Sequence, residues 1–115
     1  MSHEHYLDCI EACQRCAVAC DHCASECLEE IEMKRMVHCV RLNRSCADLC
    51  ALSVREMSRG SEFAEQACQL CAEACELCAT ECAKHDMEHC QVCAQACREC
   101  AEVCRQVAAH AAQAR

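Results

Sequence analysis

The chain has 115 residues, and its 19 acidic against 11 basic side chains give a formal net charge of −8. That length suits one domain across 1–115, and an acidic surface with no basic patch excludes nucleic acid and anionic lipid as expected partners. A single glycine, no proline and abundant Ala, Glu, Gln, Arg and Leu exclude a β fold, and no apolar run reaches the ~18 residues that span a bilayer, so a soluble all-α chain is expected.

The usual bulky core material is nearly missing. Tyr6 and Phe63 are the only aromatic residues, and Leu, Ile and Val are sparse, so the 19 cysteines must fill the interior. A disulfide framework suits a secreted chain, but the odd cysteine count and the opening MSHEHYLDC, with neither a basic nor an apolar export region, point instead to a reducing cytoplasmic setting.

In chain order, a first helix is expected over 3–29 and carries Cys9, Cys13, Cys16, Cys20, Cys23 and Cys27. A turn around Glu29 to Glu32 is inferred from length alone, because an unbroken helix to residue 58 would be unusual in a globular domain. The second helix, 32–58, carries Cys39, Cys46 and Cys50, with Asn43 in the place where the same spacing would put a cysteine. Gly60 ends it, and Ser61 is the expected N-cap of the third helix, 61–84, with Cys68, Cys71, Cys75, Cys78 and Cys82. Asp86 is the expected N-cap of the fourth, 87–112, with Cys90, Cys93, Cys97, Cys100 and Cys104.

Steps of three and four alternate within each block, which puts every cysteine of a block on one face of its helix. Short connections between helices of similar length then predict an antiparallel four-helix bundle whose cysteine-lined core is a tube of thiols. The bland reading is a tight bundle in which Cys serves as a small hydrophobe, beside alanines that let helices approach; Ala, Val or Leu would do that without the oxidation hazard.

The thiols therefore point to metal. Cβ atoms one helical turn apart are about 5–6 Å from each other, beyond the ~3.8 Å of a disulfide. Eight CxxxC pairs and six CxxC pairs can instead place two sulfurs across one ion. Soft thiolates select soft metals, Cu(I) foremost. Each Cu⁺ that replaces a thiol proton leaves the core charge unchanged, so many ions per chain can load, up to about one per cysteine. A tetrahedral Zn(Cys)₄ site carries two negative charges, for which the stripes supply no counter-charge. A zinc or general soft-metal buffer is the runner-up, and iron–sulfur ligation ranks below it because the spacings are uniformly helical. A thiol redox enzyme is the alternative from another class, although a thioredoxin-type CxxC belongs beside a βαβ pattern that this sequence lacks. No catalytic residue is expected.

The two ends differ. One gathers Met33, Met36, His85, Met87 and His89, with Met36 and His85 in the stripe itself, and reads as a thioether and imidazole mouth that hands metal to Cys39, Cys82 and Cys90. Gap-filling methionine and exposed helix-end histidine are the plain alternative. At the other end the stripes run into Tyr6, Met57, Ala64 and Val107, with Phe63 nearby, as an apolar plug. Asn43 is expected either to hydrogen-bond thiolate sulfur or bind metal weakly, or to fix helix register as a lone core Asn does. His22, His38 and His110 fall off the stripes as surface residues, and His3 and His5 stand near the terminus.

The segments CIEACQRCAVACDHCASEC (9–27), CVRLNRSCADLCAL (39–52), CQLCAEACELCATECAKHD (68–86) and CQVCAQACRECAEVC (90–104) together resemble the bacterial copper storage proteins, and most of all their cytosolic branch. The resemblance covers essentially the whole chain. It implies Cu(I) held by all nineteen cysteines, a His- and Met-bearing mouth that includes His85, a polar core position at Asn43, and a homotetramer. The reading is a store that either supplies cuproenzymes or protects the cytosol from copper, with copper chaperones or cuproenzymes as candidate partners.

Overall fold

The computed structural model describes residues 6–114, with side chains over residues 6–109. It contains four α-helices: α1, Leu7–Cys27; α2, Val37–Arg59; α3, Ala64–Cys82; and α4, Glu88–Ala114, with one 3₁₀ turn, Met33–Met36, leading into α2. Each helix packs against the next, and α1 closes the ring against α4. The result is the expected antiparallel bundle, 49 × 20 × 17 Å.

Helix ends differ from the expected bounds by a few residues, and the local hydrogen bonds show why. Residues 3–5 of the first expected helix, with His3 and His5, lie outside the described residues. The inferred turn after α1 is present: Glu29 and Glu30 donate backbone N–H groups to Glu26 and Cys27, and the chain passes through the 3₁₀ turn before α2 starts at Val37, not at residue 32. Gly60 ends α2 in the left-handed region, φ 62°, ψ 36°, where a side chain would clash. Its N–H bonds to Met57 O at 3.0 Å and that of Ser61 to Glu56 O at 3.1 Å, a Schellman closure.

Ser61 is not the N-cap of α3. Its hydroxyl donates to Glu56 Oε1 at 2.6 Å and accepts from Phe63 N–H at 3.1 Å, which makes a local turn and delays the helix to Ala64. Asp86 is likewise exposed and off the helix start. The carbonyl of Met87 accepts from Cys90 and Gln91, so the chain turns into α4 one residue later.

The core has the composition the sequence predicts. All 19 cysteines are completely buried, with small residues such as Ala12, Ala47, Ala72 and Ala94 packed beside them. Small side chains on facing stripes let four helices close around a narrow channel, where bulky residues would hold them apart.

Candidate metal centre

Sulfur touches sulfur along the length of the bundle. Near one end Cys9 and Cys104 are 3.5 Å apart and Cys50 and Cys71 3.6 Å. In the middle Cys16 lies 3.6 Å from Cys97 and Cys46 3.5 Å from Cys75. Toward the other end Cys39 is 3.6 Å from Cys82, and Cys23 is 3.8 Å from both Cys27 and Cys90. Within helices, pairs one turn apart hold the same spacing, with Cys71–Cys75, Cys78–Cys82, Cys93–Cys97 and Cys100–Cys104 all at 3.9 Å.

These sulfurs form overlapping quartets, each with all four Sγ atoms within 4.8 Å of one another: Cys23, Cys27, Cys39 and Cys90; Cys20, Cys78, Cys93 and Cys97; Cys16, Cys20, Cys46 and Cys97; Cys16, Cys46, Cys50 and Cys75; and Cys13, Cys71, Cys100 and Cys104. With bonds of about 2.3 Å, a tetrahedral centre spaces its sulfurs about 3.8 Å apart and a linear one about 4.6 Å. Small χ1 rotations reach either, so spacing alone does not choose the metal. Sharing and charge do. Cys16, Cys20, Cys46 and Cys97 each serve two of these quartets, so the column does not divide into closed Cys₄ sites. Among the described residues no Lys or Arg is buried, so no buried cation of that kind offsets the double negative charge of a zinc tetrathiolate.

Asn43 sits inside the column, fully buried. Its Oδ1 accepts the thiols of Cys78 at 3.1 Å, Cys82 at 3.4 Å and Cys93 at 3.4 Å, and its Nδ2 donates to Cys39 at 3.7 Å. The amide thus ties α2 to α3 and α4 through sulfur. Ser53, a stripe residue that the sequence reading passed over, continues the pattern from Cys50 and donates to Ala67 O at 3.1 Å. Its place three residues after Cys50 was the signal.

The end expected to be the mouth carries a cleft of about 360 Å³ lined by Met36, His85 and Met87 below a charged rim that includes Glu29, Glu30, Glu32, Asp86, Arg35 and Lys84. Met36 is buried, while the His85 side chain is 11% exposed and bonds through Nε2 to Glu81 Oε2 at 3.0 Å. Met33 does not join them. It is exposed and lines a separate apolar groove with Leu28, Val37, Val40 and Arg41, because the 3₁₀ turn rotates it off the helical stripe.

His89 comes closer to the thiols than its flanking position suggested. Its Nδ1 lies 3.4 Å from Cys23 Sγ and 3.5 Å from Cys90 Sγ, and its buried Nε2 has no partner. Burial pushes the thiol of Cys90 up to about 11 and pushes Cys27 up as well, while hydrogen bonds from Cys23 and Cys82 pull Cys39 down. Cys90 and Cys27 keep their protons at neutral pH.

The far end is closed. Tyr6, Met57 and Ala64 are buried and Val107 packs half-buried against them. Phe63, expected nearby, is 62% exposed and takes no part, because the turn at Ser61 carries it outside the bundle. His22 and His38 are exposed, as expected, and the side chain of His110 lies outside the described residues.

A ring of four amphipathic helices around a continuous column of reduced sulfur defines a thiolate store for soft metal ions. The chain belongs to the copper storage protein family, whose model matches residues 2–109. It is 54% identical over 81 residues to the cysteine-rich protein YhjQ of Bacillus subtilis, an alignment that covers 70% of this chain and 75% of that one. It resembles the Cu(I)-bound copper storage protein BsCsp3 of Bacillus with a TM-score of 0.87 at 52% identity, over 90% of this chain and 97% of the other. A cytosolic copper storage protein from Streptomyces lividans, solved with five coppers, matches with a TM-score of 0.89 at 39% identity, over 93% and 94% of the two chains. No helix among the described residues is long and apolar enough to cross a membrane.

Proposed function

We propose that this chain works as one four-helix storage unit that holds many Cu(I) ions on its nineteen core thiolates, in the cytosol, without catalysing a reaction. The observation that carries this reading is the continuous column of buried sulfurs with neighbours at 3.5 to 4.0 Å and, among the described residues, no buried Lys or Arg beside it. Met36 and His85 take up metal at the cleft, His89 joins them beside Cys23 and Cys90, and Asn43 supports the thiolates next to it. Copper chaperones or cuproenzymes exchange metal at that end. The homotetramer expected from the family likeness is supported by an apolar groove on α1 and α4 that exposes Val18 and Val92.

The test is an anaerobic Cu(I) titration of reduced protein against a chromogenic chelator. Saturation near one ion per cysteine, on the order of nineteen per chain, is expected. Saturation at a few equivalents would overturn the storage reading. Replacing Met36 and His85 by Ala is expected to slow uptake and leave capacity unchanged; uptake at the original rate would remove the mouth.

A further inference from the structure

Glu81 is the only buried acidic side chain among the described residues, 8% exposed, and it lies off the thiol stripe beside the cleft. Both of its oxygens are engaged. Oε1 accepts from Lys84 Nζ at 3.3 Å, and Oε2 lies 3.0 Å from His85 Nε2. An ionised carboxylate only accepts, so His85 Nε2 must carry the ring proton. In the neutral imidazole that leaves the Nδ1 lone pair bare.

We infer that Glu81 is a positioning residue for copper uptake: it locks His85 in the Nε2–H tautomer, so that Nδ1 stands ready to bind each arriving Cu(I). Histidines that ligate metal commonly donate their second ring N–H to a carboxylate, which fixes the ring and strengthens the donor nitrogen. Here the pair is built within one helix, four residues apart, and Lys84 keeps the carboxylate from swinging away. The inference rests on the reading of His85 as a mouth ligand.

The experiment uses the full chain, reduced and metal-free, as wild type, Glu81→Ala, His85→Ala and the double variant. Long-range ¹⁵N–¹H spectra read the His85 tautomer, and stopped-flow transfer from a Cu(I)–chelator complex reads uptake. The wild type should show the Nε2–H form and Glu81→Ala a mixture. Uptake should slow by about tenfold or more in each single variant, while the double variant is no slower than His85→Ala.

A wild-type His85 protonated at Nδ1 would overturn the inference without any variant. So would a Glu81→Ala effect that persists at full size in the His85→Ala background. If His85→Ala loads at the wild-type rate, the mouth reading falls and this inference with it. If His85→Ala is slow and Glu81→Ala is not, only the role of Glu81 falls.

Discussion

The side-chain oxygen of Asn43 accepts the thiol of Cys78 at 3.1 Å. With Cys82 and Cys93 bonded to the same oxygen and Cys39 to the amide nitrogen, one residue of α2 organises four sulfurs on three helices. The hydrogen-bonding role and the register role expected of this position are therefore one arrangement, since the bonds that satisfy the amide also fix α2 against α3 and α4.

Asn43→Cys should raise copper capacity by about one ion, because the new thiol continues the 3-4 stripe and exchanges one proton per Cu(I). The metal-free protein should lose about 1 kcal/mol in urea unfolding, since thiols are weak donors and their loss of an acceptor sits at the low end of such costs. An unchanged capacity would place position 43 outside the metal column.

The four helices and the inward direction of every cysteine were legible because the 3-4 alternation encodes a single helix face, and nothing in the bundle competes with it. The details that escaped depend on single hydrogen bonds. Whether Ser61 starts a helix is decided by Glu56, which occupies its hydroxyl at 2.6 Å from the preceding helix. Met33 leaves the cleft because four residues take 3₁₀ rather than α geometry. His89 reaches Cys23 on another helix, and adjacency to Cys90 in sequence reveals only the nearer of its two thiol contacts. Periodicity reports the face of a helix, while caps and mouths are settled by what crosses between helices.

Cys90 and Cys27 also set an alkaline limit on the metal-free fold. Burial raises Cys90 to about 11 and raises Cys27 as well, so the folded state favours their protonated forms. An unfolded thiol titrates near about 8.5. A group raised in this sense contributes its full stability below the unfolded value and loses it as pH climbs through the folded one. The melting temperature of reduced apo-protein, followed by circular dichroism, should hold steady at neutral pH and fall between those two values. Copper-loaded protein should not share the decline, because its thiols have no proton left to lose. A melting temperature that stays level across the interval would contradict the raised pKa values of Cys90 and Cys27.

Proton counting separates the metals that this column admits by size. At one ion per cysteine each Cu(I) replaces one thiol proton with one positive charge, so the fully loaded core is neutral, whereas a lone ion held by two thiolates releases two protons and leaves one negative charge. Loading to saturation should release about one proton per ion, read with an indicator dye in weakly buffered anaerobic solution, and affinity should weaken by about tenfold for each pH unit below the thiol pKa. A zinc tetrathiolate would release about four protons per ion and leave two negative charges behind. With no Lys or Arg buried among the described residues, the column has no such cation to offset these charges, and stacked zinc sites should stop forming after few ions. A ratio far below one for copper would mean that several thiolates already exist in the metal-free tube. The ratio should start nearer two, while each ion holds its own pair of thiolates, and average about one at saturation, where sulfurs are shared. A break partway would mark the depth at which loading stops.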